Sequence, residues 1–317
     1  MENWNKSRVT EFILVGFPNL YSYGPILFLC LLLAYLLIIF GNVLIFITIC
    51  LDTRLHIPMY FCVGVLSILE LCYTAVVIPK MLINLLKPRK GIYFTNCLLQ
   101  IYFFHSLGVS ECYLLTTMAY DRYLAICHPL RYSSIMTAKL TIQLVCTCFI
   151  AGFLFPAPEV ILISHLPYCG SNEIQHIFCD APALLSVACT DKSVLVLIEF
   201  IVNSFILFGT FSFVMISYIR IIVAIMKINS SGGRSKAFST CVSHLAVVLV
   251  FYSCTTFVYV RLRESYSLYY DRVLAVIYTV LTPIFNPIIY SLRNKEIRLA
   301  IKRRMCNRTG FSKSVHC

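Results

Sequence analysis

Apolar residues gather along the chain in seven windows, approximately 25 to 50, 57 to 80, 96 to 122, 140 to 163, 195 to 226, 237 to 260 and 273 to 292, with polar stretches between them. A hydrocarbon core of roughly 30 Å takes about 20 helical residues to cross, and every window reaches that length. Backbone groups inside hydrocarbon find no water, so each window must pair its own N–H and C=O groups, which selects helices over open strands. The pattern predicts an all-α membrane protein, a seven-transmembrane helix bundle whose one long connection is 164–194. Past residue 292 the chain turns basic with Ile297, Leu299, Ala300 and Ile301 interleaved, which predicts a short amphipathic C-terminal helix lying on anionic membrane lipids.

Composition agrees. Of 317 residues 59% are apolar and 13% charged, about half the charged share of a soluble domain. The 26 Lys and Arg against 14 Asp and Glu would suggest an anionic partner in a soluble chain, but here their placement decides, and no nucleic acid partner is expected. With the C-terminus inside, the inner segments hold most of the basic residues, although Lys80, Lys87, Arg89 and Lys90 sit outside. The expectation is a multi-pass plasma-membrane protein in one domain, 1–317, with an extracellular N-terminus (1–24), a helix bundle (25–292) and a cytoplasmic tail (293–317). Residues 1–23 have no basic start followed by an apolar stretch, so the first span is expected to act as the signal. Asn5-Lys6-Ser7 is a glycosylation acceptor on the outer side; Asn229 and Asn307 begin sequons on the inner side. Most of the 16 cysteines fall in apolar runs, where they act as small hydrophobes. Cys97, Cys169, Cys179 and Cys189 lie at the outer rim, where three pairings are open, and a bond from Cys97 to the long loop would pin a lid over the bundle mouth. Cys306 and Cys317 are candidates for palmitoylation.

Charge inside the windows points to function. Asp121 and Arg122 stand at the inner end of the third window, where a charge-assisted hydrogen bond between them would hold a guanidinium that, once freed, reaches a docking partner. Glu70 and Glu111 come out at nearly one depth, roughly 15 to 20 Å from the inner edge at ~1.5 Å per residue. Two bare anions at one level in low dielectric are unfavourable, so either one is protonated or a sodium ion sits between them, with Asn42 and Asn286 as neighbours. No other cofactor is implied. Pro283 and Pro287 each remove a helical hydrogen bond from the last window, making a bend beside Asn286. The outer half of the bundle is lined, on this reading, by His105, Gly108, Val109, Val202, Asn203, Ile206, Tyr252, Thr255, Thr256, Tyr259, Tyr278 and Thr279. That is a pocket for a small, sparingly polar ligand, with no acid among its residues to hold an amine.

With these residues in view, the chain resembles vertebrate olfactory (odorant) receptors of the rhodopsin-like G protein-coupled receptor superfamily. Five blocks carry the likeness: Leu55-His56-Ile57-Pro58-Met59-Tyr60-Phe61, Met118-Ala119-Tyr120-Asp121-Arg122-Tyr123-Leu124-Ala125-Ile126-Cys127, Ser217-Tyr218, Lys236-Ala237-Phe238-Ser239-Thr240-Cys241-Val242-Ser243-His244-Leu245, and residues 283–294 with Asn286, Pro287 and Tyr290. The resemblance implies odorant binding in the outer bundle and coupling to a heterotrimeric G protein of the stimulatory olfactory type, raising cyclic AMP. It implies pairing of Cys97 with Cys179 and of Cys169 with Cys189. It also implies a switch through Asp121, Arg122, Tyr123, Tyr218, Lys236, Asn286, Pro287 and Tyr290, in which the block beginning at Lys236 swings outward. His176-Ile177-Phe178-Cys179-Asp180 looks like a loop motif proposed to bind copper or zinc in some members, which a disulfide at Cys179 would deny its thiolate. Glu70 stands where many members carry Asp, and Ser253-Cys254 where a glycine is usual.

Other functions compete. A transporter would also use buried acids, here Glu70, Glu111, Glu159 and Glu199, but should show an inverted repeat or paired broken helices, and neither is found. An enzyme would need more than His105, His244 and Cys112, which no metal spacing or nucleophile motif joins. A non-olfactory receptor for a lipid-like ligand differs only in what it binds.

Overall fold

The computed structural model describes residues 9–87, 91–169, 171–227, 231–260, 268–293 and 295–308. Asn5 and Cys317, and the side chains of Lys236, His244, Tyr290 and Cys306, lie outside the described part. Long helices dominate: α1 (Gly24–Leu51), α2 (Pro58–Leu86) and α3 (Phe94–Cys127), then the short α4 (Pro129–Ile135). α5 (Ala138–Leu154) runs into α6 (Pro156–Ser164), and a five-residue α7 (Ala181–Leu185) precedes α8 (Ser193–Met226) and α9 (Ser231–Tyr259). The chain ends with α10 (Leu268–Val276), a π-helical turn (Ile277–Leu281), α11 (Thr282–Arg293) and α12 (Lys295–Arg308).

Prolines set many of these boundaries. Pro25, Pro58, Pro129 and Pro156 stand in the first turns of α1, α2, α4 and α6, where a missing N–H is tolerated because that donor has no helical partner. Pro156 divides a span the apolar pattern reads as one. The last span carries a second feature of the kind that bends helices, since a π-helical turn (Ile277–Leu281) stands just before Thr282 and Pro283.

Among the described residues five helical stretches are long and apolar enough to cross a membrane: Gly24–Leu51, Pro58–Leu86, Ala138–Ser164, Ser193–Met226 and Tyr270–Ile289. In α9 the apolar part narrows to Leu245–Tyr259. α3 falls short in apolarity rather than length, since its 34 residues include Gln100, His105, Glu111, Asp121 and Arg122. Its position explains why. α3 packs against α2, α5, α6, α8 and α9, so its polar residues meet other helices. α1 is the opposite case: protein buries only 17% of its most apolar stretch, leaving Ile26, Leu33, Leu37 and Phe40 exposed on a lipid-facing side.

Two close approaches fix the packing. A Cβ on Gly41 would lie 2.8 Å from Pro287 Cβ, and one on Gly152 would lie 2.7 Å from the Ser106 carbonyl oxygen, so both positions need glycine.

The all-α expectation needs one correction. A three-stranded sheet caps one end of the bundle, with β1 (Glu11–Leu14) between an antiparallel β2 (Gly91–Tyr93) and a parallel β3 (Glu173–Ile174). Strands this short depend on pairing between segments far apart in sequence, and no local pattern announces them. Phe12 and Leu14 are fully buried in a second core with Ile101, Ile163 and Leu184.

Candidate functional site

Beneath this cap lies a small cavity of about 70 Å³. α3 contributes Phe104, His105, Gly108, Val109 and Cys112; Phe155, Pro156 and Glu159 come from the start of α6; Val202, Asn203, Ile206 and Leu207 from α8; and Phe251, Thr255 and Tyr259 from α9. Tyr73 of α2 closes one side and stacks on Phe104 with ring centroids 4.9 Å apart. Of the ligand residues expected from sequence, His105, Gly108, Val109, Val202, Asn203, Ile206, Thr255 and Tyr259 stand on this wall.

Four do not. Tyr252 turns inward and donates to the Cys112 carbonyl at 3.3 Å. Thr279 spends its hydroxyl on the Ala275 carbonyl of its own helix. Tyr278 stands behind Tyr259, the two hydroxyls 3.2 Å apart, and Thr256 lies beside Thr255 but off the wall.

The expectation of a pocket without acids is overturned. Glu159 lines the cavity, and its Oε1 lies 3.7 Å from His105 Nδ1. That is close enough for an ion pair and too far for a hydrogen bond. The other ring nitrogen, His105 Nε2, bonds Asp180 Oδ1 at 3.0 Å, and the Tyr259 hydroxyl donates to Asp180 Oδ2 at 3.1 Å. Glu199 of α8 is buried beside Glu159 with one oxygen unpaired among the described residues. Glu159 escaped a reading by helical face because Pro156 breaks the helix just before it, and Asp180 because it arrives on a loop.

That loop is held from several directions. Cys179 is joined to Cys97 of α3 and Cys169 to Cys189, with Cα–Cα separations of 5.3 and 5.7 Å. The Cys179 amide donates to Gln100 Oε1 at 2.9 Å, and Arg272 of α10 grips Gln175 through two bonds of 3.0 Å. Burial works to raise the Asp180 pKa, but the His105 hydrogen bond and charge, with His176 and Tyr259, outweigh it and hold the carboxyl below its ordinary value. Burial pushes His176 the other way, below the usual imidazole range. With Cys179 in a disulfide its thiolate is not a metal ligand, and no group of three or more His, Cys, Asp or Glu is placed to hold a metal among the described residues.

Midway along the bundle Glu70 and Glu111 are both buried and within hydrogen-bonding reach of each other. Asn286 Nδ2 donates to Glu70 Oε1. Glu70 Oε2, Glu111 Oε1 and Asn286 Oδ1 have no hydrogen-bond partner among the described residues. Asn42, the other expected neighbour, donates to the Ile38 carbonyl of its own helix at 3.0 Å.

At the end of the bundle away from the sheet the expected Asp121–Arg122 bond is absent. Asp121, 1% exposed, accepts instead from the Tyr132 hydroxyl of α4 at 2.8 Å. Successive residues on a helix do not face each other, and Arg122 Nε is buried without a hydrogen-bond partner among the described residues. Tyr123 bonds His128 Nε2 at 3.1 Å. Tyr218 is buried against Val214 and Ile221. Beneath them α12 docks on the first inner turn through an ion pair of 2.8 Å between Arg303 and Asp52, and that hydrogen bond is the main reason the Asp52 carboxyl is held below its ordinary value.

The sequence profile of the olfactory receptor family matches residues 29–308. Human relatives include olfactory receptor 6N1, 55% identical over 305 residues covering 96% of this chain and 98% of that protein. Olfactory receptor 6K3 is 50% identical over 306 residues (96% and 92%), and olfactory receptor 6K6 is 49% identical over 300 residues (94% and 87%). A match across nearly the whole of both chains covers the cap, the cavity and the inner face together. This multi-pass membrane protein therefore belongs to the olfactory receptor family of rhodopsin-like G protein-coupled receptors, and it is not an enzyme.

Proposed function

We propose that the chain is an odorant receptor whose outer cavity takes a small, mostly apolar volatile carrying a hydroxyl or amine, and which couples to a stimulatory G protein of the olfactory type to raise cyclic AMP. The observation that carries the ligand reading is Glu159 on the cavity wall, whose Oε1 lies 3.7 Å from His105 Nδ1 and has no hydrogen-bond partner among the described residues. A buried acceptor left unpaired is unfavourable, so a ligand that donates to it gains where an alkane or ether does not. Seven crossings, with α3 and α9 spanning as well, would set the two termini on opposite sides, and the two disulfides near the N-terminal strand support that end being outside and α12 inside.

On the inner side the Asp121–Tyr132 bond would keep α4 against α3 at rest, leaving Arg122 to meet the G protein once α9 moves. The test is cyclic AMP in cells expressing the chain against paired odorants that differ only in a hydroxyl or amine. Donor-bearing members should be more potent, and Arg122→Ala should abolish the signal while keeping surface expression and binding. Ion current or substrate flux without cyclic AMP would overturn the reading in favour of a transporter.

Glu70, Glu111 and Asn286 bring three buried oxygens to one place, a donor set that suits a hard cation such as sodium. The longer Glu70 side chain is accommodated because Asn286 reaches it. The purified receptor should melt higher in sodium than in choline chloride. Glu70→Gln should erase that difference, and an equal sodium response in both proteins would leave the pair sharing a proton instead.

A further inference from the structure

A second cavity, of about 280 Å³, lies apart from the odorant site between α1, α2, the π-helical turn and the N-terminal segment. Its wall is apolar, with Phe17, Leu27, Leu31, Met81 and Val280 on it, and Asn84 interrupts it. Asn84 is 7% exposed, and neither its amide nitrogen nor its amide oxygen has a hydrogen-bond partner among the described residues. An amide left idle on both atoms in a dry wall is unfavourable, and such groups in folded proteins are normally satisfied.

What would satisfy it can be read from the chemistry. The amide offers one kind of donor and one acceptor, and a single hydroxyl, which both donates and accepts, meets both. No charged side chain stands on the wall, so an ionised head group has no counter-charge there. The volume is near the lower end of small-molecule sites, roughly 300 to 1,000 Å³, so an elongated hydrocarbon body would lie partly inside it and continue past α1. Access is from the side: Cys30 lines the cavity and is exposed on α1, next to Ile26, Leu29 and Leu33, which face outward with more than half their surface uncovered. From above, Leu14 and Phe17 of the N-terminal segment close it.

We propose that this cavity binds a membrane-borne lipid of sterol-like form, an elongated apolar body ending in one hydroxyl, with the Asn84 amide as its anchor. The site shares no lining residue with the odorant cavity, so it does not depend on the reading of that cavity.

The test uses the full receptor in phosphatidylcholine nanodiscs containing a photoreactive, alkyne-tagged sterol. Crosslinks should map to the α1 and α2 peptides that carry Cys30 and Asn84, be displaced by excess unlabelled sterol, and resist its hydroxyl-free counterpart. Asn84→Leu should cut labelling by about tenfold or more, the factor expected when one well-placed hydrogen-bonding group is lost. Melting temperature separates loss of the anchor from loss of the fold. Without sterol Asn84→Leu should melt no lower than the parent, because it removes two unpaired atoms, and only the parent should gain stability when sterol is added. Labelling mapped elsewhere, or labelling and sterol stabilisation unchanged by Asn84→Leu, overturns the proposal. A long-chain alcohol supplied from water that displaces the label where bilayer sterol does not would overturn the membrane source.

Discussion

Glu159 decides what the outer cavity can discriminate. Its carboxylate can only accept, and Oε1, 3.7 Å from His105 Nδ1, has no hydrogen-bond partner among the described residues. Glu159→Gln removes the charge and turns one acceptor into a donor. A hydrogen bond to a charged group contributes about 1.5–3 kcal/mol, so hydroxyl- and amine-bearing odorants should lose roughly ten- to hundredfold in potency. Ketones and esters, which only accept, should lose little or gain. Dose–response curves of cyclic AMP for matched odorants measure this, and an equal loss for both classes would assign Glu159 to structure alone. Sequence reading reached half of the wall, since lining positions on α3, α8 and α9 recur at helical spacing. It missed Glu159, and it placed Tyr252 on the wall although that side chain turns toward α3, because apolar windows fix where a helix lies but not how it is rotated about its axis.

At the scale of elements, α12 is the segment whose stability the solution conditions can address. Its Arg303 pairs with Asp52 at 2.8 Å and holds that carboxyl below its ordinary value. A carboxyl whose folded pKa is depressed adds stability above its unfolded value of about 3.9 and loses it as pH falls through the folded pKa. The ion pair is partly exposed, which limits its contribution to about 0.2–1 kcal/mol. Arg303→Ala should therefore lower the melting temperature of the detergent-solubilised receptor slightly and evenly from pH 7 to about 5, with the gap closing below about pH 4. A gap that grew toward acid would contradict the assignment. The helices themselves were legible because hydrocarbon demands long apolar runs, and α12 was legible because its basic and apolar residues interleave. The break at Phe155 was not, since Pro156 and Pro158 sit in an apolar stretch that looks continuous. The Asp121–Arg122 bond was misread for a related reason: adjacency in sequence is not adjacency on a helix, and Tyr132 comes round from the next helix to take Asp121.

For the molecule as a whole, the cap couples parts that sequence keeps far apart. β1 bonds the α2–α3 connection on one side and the loop that delivers Asp180 on the other, and its exit is tied by bonds from the Val15 and Gly16 amides to the Ile174 and His176 carbonyls at 3.0 and 3.1 Å. Phe12 anchors the arrangement: it is fully buried, with Tyr168 and Phe94 centred 5.5 and 5.9 Å away. The disulfide from Cys97 to Cys179 pins the same loop at one point, so the loop keeps a tether when β1 is weakened but loses the strand that sets its height over the cavity. Removing a buried Phe side chain costs about 3–5 kcal/mol. Phe12→Ala should lower melting temperature and, because His105 and Tyr259 both bond the Asp180 that this loop carries, should also weaken odorant potency. Ile13→Ala, one residue along and 37% exposed, is the matched control. If both variants melt alike and respond alike, the N-terminal strand is a passenger on the cap; if Phe12→Ala alone loses both, the strand, the loop and the odorant cavity act as one unit.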